Sequence, residues 1–261
     1  MSTVTDWDIV AMAQPDIPQG PAARYTQWQI LSAAMRGLRY ARHPTEWNGE
    51  EPLSILKTDL WTEGVVRHRE ILDCLLHLAW DKGVFTSEYT TYAMDIAMVT
   101  CLKARAADTP GHIMQADVRH LPYKDASFDI VLDPSTSDHV PFHDSLFTRE
   151  EYCRVLRPGG VLVLLFAHHG GTLTKGAGND YFVFPVSEVR RHLKTIGFDI
   201  KREYAIHCLN TQPLGILMAP RLGMQRVAVA AFRHLEYSPV SRYLLRPFAP
   251  MYVIVCVKRG Y

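Results

Sequence analysis

The feature that most constrains this chain is a regular alternation of short apolar runs and helical segments from Leu53 onward. A continuous apolar run with turn residues on both sides is typical of a strand that is buried on both faces of a sheet. Strands that alternate with helices imply a parallel sheet covered on both faces, so we predict an α/β fold. The predicted strands are Leu53–Lys57, Tyr89–Ile96, Ile113–Ala116, Phe128–Leu132, Gly160–Ala167, Phe198–Ile206 and Tyr252–Lys258. The predicted helices between them are Val65–Trp80, Met98–Ala107 and Ser187–Thr195.

The chain divides into an extension, residues 1–52, and a main domain, residues 53–261. In the extension, Ala22–Arg42 is a predicted helix, because apolar residues recur there at spacings of three and four. Residues 209–250 interrupt the main domain before its last strand, and we interpret them as a lid. Arginines alternate with apolar residues in this insertion, which fits either a solvated helix face or a surface that meets anions.

Composition excludes several classes of function. The chain has 261 residues, 28 Lys+Arg and 27 Asp+Glu, so no broad polyanion-binding surface is expected, and with it no nucleic-acid partner. The longest apolar runs, Val161–Ala167 and Met251–Val257, are far shorter than the roughly 20 residues that span a bilayer. Five scattered cysteines and the lack of a secretory signal indicate a cytoplasmic protein with reduced thiols. The oligomeric state is left open, a homodimer included.

Three aspartates stand at or just beyond predicted strand ends: Asp95, Asp117 and Asp133. Open α/β sheets bind ligands beyond the carboxyl ends of their strands, near the point where the strand order reverses. An acid that ends the second strand can accept both hydroxyls of a ribose, and Asp117, one strand further on, could reach the exocyclic amine of an adenine. The alternative is that these aspartates only cap the helices that follow them.

Two stretches of the sequence resemble the middle of class I S-adenosylmethionine-dependent methyltransferases. They are ADVRHLPYKDASFDIVLDPSTSDHV and EEYCRVLRPGGVLVLLF. The segment VSEVRRHLKTIGFDIKREY is similar to the last helix and sixth strand of that family, and MYVIVCVKRG is similar to its closing strand. The resemblance covers roughly residues 53–261. It implies a Rossmann-like sheet of seven mostly parallel strands and a bound S-adenosylmethionine.

The chain departs from this family at the first strand, where no glycine-rich E/DxGxGxG turn is found. Either LSILKTDLWTEG (Leu53–Gly64) or ILDC (Ile71–Cys74) could occupy its place. Helical spacing in Ile71–Trp80 favours the first alternative. The string ILKTDLWTEG is also similar to a variant loop in a subgroup of methyltransferases. In that interpretation, the residues that bind the methionine portion of the cofactor are Lys57, Thr58, Asp59 and Glu63.

The resemblance implies methyl transfer to a small-molecule acceptor. The remaining candidates for cofactor contact are Asp95, Ile96, Asp117, Val118 and Asp133. The candidate catalytic residues are His139, His168 and Asp138, because they follow the fourth and fifth strands, where an acceptor enters. His143 and His169 lie nearby, but no spacing typical of a metal site is present, and we expect no metal. The alternative function is a non-catalytic or repurposed protein of the same fold that acts as a binding partner.

Overall fold

The structure is a computed structural model. It describes residues 5–13, 52–65, 88–141, 143–168, 182–206 and 251–260, with the single positions 32, 35, 40, 238 and 249. Apart from its first residue, the predicted helix Val65–Trp80 lies outside the described residues. The same holds for most of the predicted helix Ala22–Arg42 and of the predicted lid at 209–250.

Seven strands and five α-helices make up the described part of the chain. The strands are β1 (Leu53–Lys57), β2 (Tyr89–Asp95), β3 (His112–Gln115), β4 (Phe128–Pro134), β5 (Leu156–Ala167), β6 (Phe198–Ile206) and β7 (Met251–Lys258). The helices are α1 (Thr5–Ala13), α2 (Trp61–Gly64), α3 (Met98–Ala106), α4 (Asp144–Val155) and α5 (Val186–Thr195), with a single 3₁₀ turn at Ser137–His139.

All seven strands form one sheet in the order β3-β2-β1-β4-β5-β7-β6. Pairs among β1 to β5 are parallel, whereas β7 runs antiparallel to both β5 and β6. The predicted Rossmann-like sheet of seven mostly parallel strands is therefore confirmed. The strand order reverses between β1 and β4, which places the carboxyl ends of these two strands and of β2 at the position where such sheets bind ligands.

The sheet is buried on both faces, as the apolar runs predict. On one face Val161, Val163 and Leu165 of β5 pack with Cys101 and Ala104 of α3. The alternate residues of β5 face the opposite layer, which α4 and α5 cover; among the residues packed there are Leu162, Leu164, Phe166, Tyr152, Val155, Val189 and Leu193. Two apolar layers fix the register of each strand, because a shift by one residue would exchange its two faces.

Two predicted strands, β5 and β4, differ from the structure by more than one residue at an end, whereas β2, β3 and β7 differ by one residue. β5 begins at Leu156, four residues before the predicted start at Gly160, because Leu156 already pairs with Phe128 of β4. The Pro158-Gly159-Gly160 turn therefore lies within the strand, and Gly159 has a φ of 78°, a conformation that glycine adopts without steric cost. β4 extends to Pro134, two residues beyond its predicted end, because Asp133 and Pro134 continue the pairing with β5.

Gly64 permits a close approach of two backbones. It ends α2, and a Cβ atom built on it would lie 2.4 Å from the carbonyl oxygen of Thr100 in α3. Nucleotide-binding loops commonly use one glycine for close packing of this kind. The segment after β1 therefore lacks the glycine-rich string but has a glycine where a helix approaches it.

We predict that Gly64→Ala destabilises the protein by about 1–3 kcal/mol, because the added methyl group meets a backbone oxygen that cannot rotate away. Urea unfolding followed by circular dichroism measures the change. The matched control is Gly260→Ala, since a Cβ at Gly260 has no atom within 4 Å. Equal stability of the two variants would show that α2 and α3 can separate without cost.

Candidate functional site

The loop after β1 is held by a buried ion pair. Lys57 and Glu63 both have side chains with 0% exposure, and Lys57 Nζ donates to Glu63 Oε2 at 2.9 Å and to the carbonyl oxygen of Asp59. The Thr62 hydroxyl donates to the same Glu63 oxygen at 2.6 Å. Burial alone would lower the pKa of Lys57, but the carboxylates of Glu63 and Asp59 outweigh it, so this pKa is raised and the ammonium stays charged.

Of the four loop residues proposed to bind the cofactor, three are enclosed. Lys57 is 0%, Thr58 1% and Glu63 1% exposed. The Asp59 side chain is 20% exposed, and its Oδ1 accepts a hydrogen bond from the backbone N–H of Trp61 at 2.8 Å. In this conformation Asp59 can meet a ligand directly, and the other three shape the loop from behind.

Asp95 ends β2 and joins two loops. Its Oδ1 accepts from the N–H of Ala97 at 2.9 Å, and its Oδ2 accepts from the N–H of Leu60 at 3.1 Å. The capping role considered for this aspartate is thus real, yet each carboxylate oxygen keeps a free lone pair for a further donor. Burial, with repulsion from Asp59, raises the pKa of Asp95 to about 7. Ile96 follows it, half-buried, and its carbonyl accepts from the side chain of Gln115 at 2.9 Å.

Asp117 is bound by the side chain of Arg119. The Arg119 Nε lies 3.0 Å from both oxygens of the Asp117 carboxylate, and its Nη1 reaches Asp144 Oδ2 at 2.9 Å. Burial would raise the pKa of Asp117, but the hydrogen bonds from Arg119 outweigh it and hold this pKa below its usual value. The next residue, Val118, is 6% exposed, and Leu121 beyond it is 5% exposed. An apolar wall therefore lies beside an ion pair at the end of β3.

Asp133 is the centre of a buried hydrogen-bond network that joins β1, β4 and α4. Its carboxylate is 0% exposed; Oδ1 accepts from the N–H of Thr136 at 2.6 Å, and Oδ2 accepts from the Tyr152 hydroxyl at 3.0 Å and from the hydroxyl of Ser137. Thr136 in turn contacts the Thr58 hydroxyl at 2.9 Å. Burial raises the pKa of Asp133. Asp133 thus orders the loops after β1 and β4 from within.

The candidate catalytic residues lie at the ends of adjacent strands. Asp138 Oδ1 accepts from the backbone N–H of Ala167 at 2.6 Å, so the segments that carry His139 and His168 are fastened together. Asp138 itself is fully buried, which raises its pKa well above the usual value. The Ser135 hydroxyl donates to Asp138 Oδ2 at 2.6 Å.

The backbone is strained at Ser135, the residue whose hydroxyl donates to Asp138. Ser135 has a φ of 98°, a region that residues other than glycine rarely adopt. Strained backbone of this kind persists where the surroundings hold it, and it is concentrated at functional sites. At Ser135 the hydrogen bond to Asp138 contributes to that restraint.

The structure adds a residue to the site that sequence reasoning missed. Trp7, in α1, makes edge contacts with the rings of Trp61 and His139, with ring centroids 6.2 Å and 4.6 Å apart. Asp8 Oδ1 accepts from the N–H of Val99 near the start of α3 at 2.8 Å, and so fixes α1 to the same edge of the sheet. A tryptophan followed by an aspartate does not by itself predict a site residue, and only the tertiary contacts show that Trp7 lies beside His139.

Two kinds of feature are absent from the described part of the chain. The described residues contain no group of three or more His, Cys, Asp or Glu side chains placed to hold a metal ion. In the same part of the chain, no helix has the length and apolar character needed to cross a membrane. Positions such as His169 lie outside the described residues.

Comparison with known proteins relates this geometry to a family. Residues 75–164 match a family model described as "Methyltransferase domain". Uncharacterized methyltransferases from two strains of Mycobacterium sp., KMS and MCS, are each 31% identical to this chain over 116 residues. That match covers 41% of this chain, and the chain spans 44% of the length of each of those proteins.

Solved structures show the same fold at low identity. A putative methyltransferase in complex with the Trm112 methyltransferase activator of Haloferax volcanii has a TM-score of 0.56 at 18% identity, covering 92% of this chain and 95% of that one. Magnesium protoporphyrin IX methyltransferase of Synechocystis PCC 6803, with bound SAH, has a TM-score of 0.55 at 15% identity, covering 99% and 95%. The seven-stranded, mostly parallel sheet is therefore the fold that these two methyltransferases share.

We predict that Tyr152→Phe costs about 1–3 kcal/mol of stability, because it removes a hydrogen-bond donor from the buried Asp133 carboxylate. Chemical unfolding measures the loss. Tyr123→Phe is the matched control: its hydroxyl is buried with no partner among the described residues, so its removal is expected to be neutral or stabilising. If the two variants lose the same stability, the network around Asp133 contributes nothing specific.

Proposed function

We propose that this chain is an S-adenosylmethionine-dependent methyltransferase that acts on a small-molecule acceptor. The observation that carries this proposal is Asp95, a half-buried carboxylate at the end of β2, beside the point where the strand order of a methyltransferase fold reverses. A ribose diol that lies across this edge would donate its two hydroxyls to a carboxylate already aligned by the N–H groups of Leu60 and Ala97. Charge-assisted bonds of this kind are among the strongest that a site can offer a sugar.

The other residues of the site fit the remaining parts of the cofactor. Val118 and Leu121 supply an apolar wall for a flat base, and the backbone of this segment is held in place as Leu121 N–H donates to Glu151 Oε2 at 2.7 Å. Asp59 is the residue of the β1 loop whose carboxylate can pair with the ammonium group of the methionine portion. Asp117 would reach an adenine amine through a lone pair that Arg119 leaves free, since a carboxylate has about four acceptor sites.

The cofactor supplies an activated methyl group on a sulfonium, so the chain needs chiefly to align the reactants and exclude water. Trp7 and Trp61 would exclude water, because their rings contact each other and the Trp7 ring also contacts His139. His139 and His168 would then act on the acceptor, by removing a proton or by orienting it. Asp138 would hold their two segments in register through its bond to Ala167.

The alternative, a protein of this fold that binds a partner without catalysis, has its own support. Lys57 fills the interior of the first loop, and Arg119 occupies both oxygens of Asp117. One protein of similar fold was solved in complex with an activator protein. The two functions differ in whether the chain binds the cofactor, so a binding measurement separates them.

Isothermal titration with S-adenosylhomocysteine tests the proposal. We expect saturable binding by the wild-type chain, and binding about tenfold weaker or worse for Asp95→Ala, because the diol contact is lost. Asp199→Ala, at an exposed position of β6, is the control and should match wild type. Absence of binding by the wild-type chain to this compound and to S-adenosylmethionine would favour the alternative, and equal affinity of all three chains would mean that Asp95 does not bind the ribose.

The pKa of Asp95, about 7, predicts a pH dependence of cofactor affinity. Below that pH the Asp95 carboxyl group of the ligand-free protein carries a proton, which must leave when the ribose hydroxyls donate to it. The affinity should therefore rise by up to about tenfold per pH unit as the pH approaches 7, and it should level off above pH 7. Titration of S-adenosylhomocysteine at a series of pH values measures this. Asp95→Asn has no such proton and should give a flat profile; an equally flat wild-type profile would contradict the assignment.

A further inference from the structure

A surface cavity of about 400 Å³ lies between α4 and α5, on the helical layer that covers one face of the sheet. Its basic lining consists of Arg149, Arg191 and His192, and Glu188 is the acidic residue that lines it. Leu146 and Val189 add an apolar side. None of these residues belongs to the proposed donor site, so the cavity requires a separate explanation.

Arg149 is a buried cation without a carboxylate partner. The residue is 2% exposed, and no carboxylate of the described residues forms an ion pair with it. Its Nε donates to Nδ1 of His192 at 3.1 Å, its Nη2 donates to the Ser145 hydroxyl at 3.2 Å, and its guanidinium lies 5.8 Å from the ring centroid of Phe184. These partners are neutral, and Arg149 lines the cavity. A buried charge that no carboxylate contacts directly is costly, even though Asp133 and Glu150 act on it from a distance, so the arrangement favours an anion.

The tautomer of His192 is fixed by its hydrogen bond with Arg149. Because Nδ1 accepts the hydrogen bond from Arg149, the proton of the neutral ring resides on Nε2, which lies 3.6 Å from Glu150 Oε1. Burial, and then the charge of Arg149, lower the pKa of His192, so the ring is neutral at pH 7. His192 therefore orients the guanidinium without compensating its charge.

We propose that this cavity binds a phosphate group, held by Arg149 and Arg191. Two guanidinium groups match a dianion, and their planar forks suit phosphate oxygens better than a point charge does. The volume exceeds what a single phosphate ion occupies, so there is room for the phosphate of a small organic monoester as well as for the free ion. The cavity shares no residue with the proposed donor site, so this proposal does not rest on the proposed function.

Arg149 also lies close enough to Asp133 for the charge of that carboxylate to act on it. A phosphate at Arg149 would compete with Asp133 for the same positive charge. The cavity is therefore connected electrostatically to the network that orders the loops after β1 and β4.

The test is calorimetric titration of the full chain with inorganic phosphate at constant ionic strength, with chloride as the background anion. We expect saturable binding, weakened about tenfold by Arg191→Gln, because one of two charge-assisted contacts is lost. Arg191 is exposed, so this variant is expected to fold. Lys194→Gln removes an exposed positive charge from the same helix outside the cavity and should leave the affinity unchanged.

Two further variants distinguish phosphate binding in this cavity from binding elsewhere on the protein. Arg149→Lys keeps the charge but loses the fork, and it should weaken phosphate binding while the chain remains folded by circular dichroism. Asp95→Ala should retain phosphate binding in full. No saturable phosphate binding by the wild-type chain, equal weakening by Arg191→Gln and Lys194→Gln, or loss of binding in Asp95→Ala would each overturn the proposal.

The source of the phosphate is distinguished by competition. Glycerol phosphate that displaces inorganic phosphate with similar or better affinity would identify the group as part of an organic monoester. Failure of glycerol phosphate to displace inorganic phosphate would identify the free ion as the ligand. Both results support a phosphate site between α4 and α5.

Discussion

The loops that flank the proposed donor site depend on one buried carboxylate. Asp133 has no solvent exposure, yet hydrogen-bond donors surround both of its oxygens, and these donors come from the turn after β4 and from α4. Tyr152 and Thr136 extend the network to Thr58, at the end of β1. A buried polar network of this kind is stable only when all its members are satisfied, so the two loops that flank the proposed donor site are held in one arrangement.

The loop after β1 contains no glycine-rich string, and a buried ion pair holds it in place. Lys57 and Glu63 form an ion pair that no solvent reaches, and the desolvation of such a pair offsets much of the attraction between its members. Its value lies in geometry, because the pair and the carbonyl of Asp59 fix the path of the loop. In the proposed donor site, the partly exposed side chain of Asp59 would take the place of a backbone that approaches the ligand closely.

The N-terminal helix α1 is held to α3 by two hydrogen bonds, each between a side chain of one helix and a backbone group of the other. Asp8 accepts from the N–H of Val99 in the first turn of α3, and Lys103 in the last turn of α3 donates to the carbonyl of Ala11 at 2.7 Å. Both side chains satisfy backbone groups that helix ends leave without a partner. The two contacts hold α1 alongside α3 and hold Trp7 against Trp61 and His139. The proposed exclusion of water from the donor site therefore depends on the stability of this short helix.

The sequence by itself determined the sheet. Leu53–Lys57 and Phe198–Ile206 are strands with the predicted bounds, and the apolar runs identified the other five strands, because a strand buried on both faces must be apolar along its length. The positions of Asp95, Asp138 and His139 at strand ends followed from the same pattern. Only the tertiary structure decided what these residues contact: that Arg119 binds Asp117, that Lys57 is enclosed, and that Trp7 lies over His139. Periodicity records which side of an element is buried, whereas the partner of a charged or aromatic side chain comes from residues distant in the chain, which no local pattern encodes.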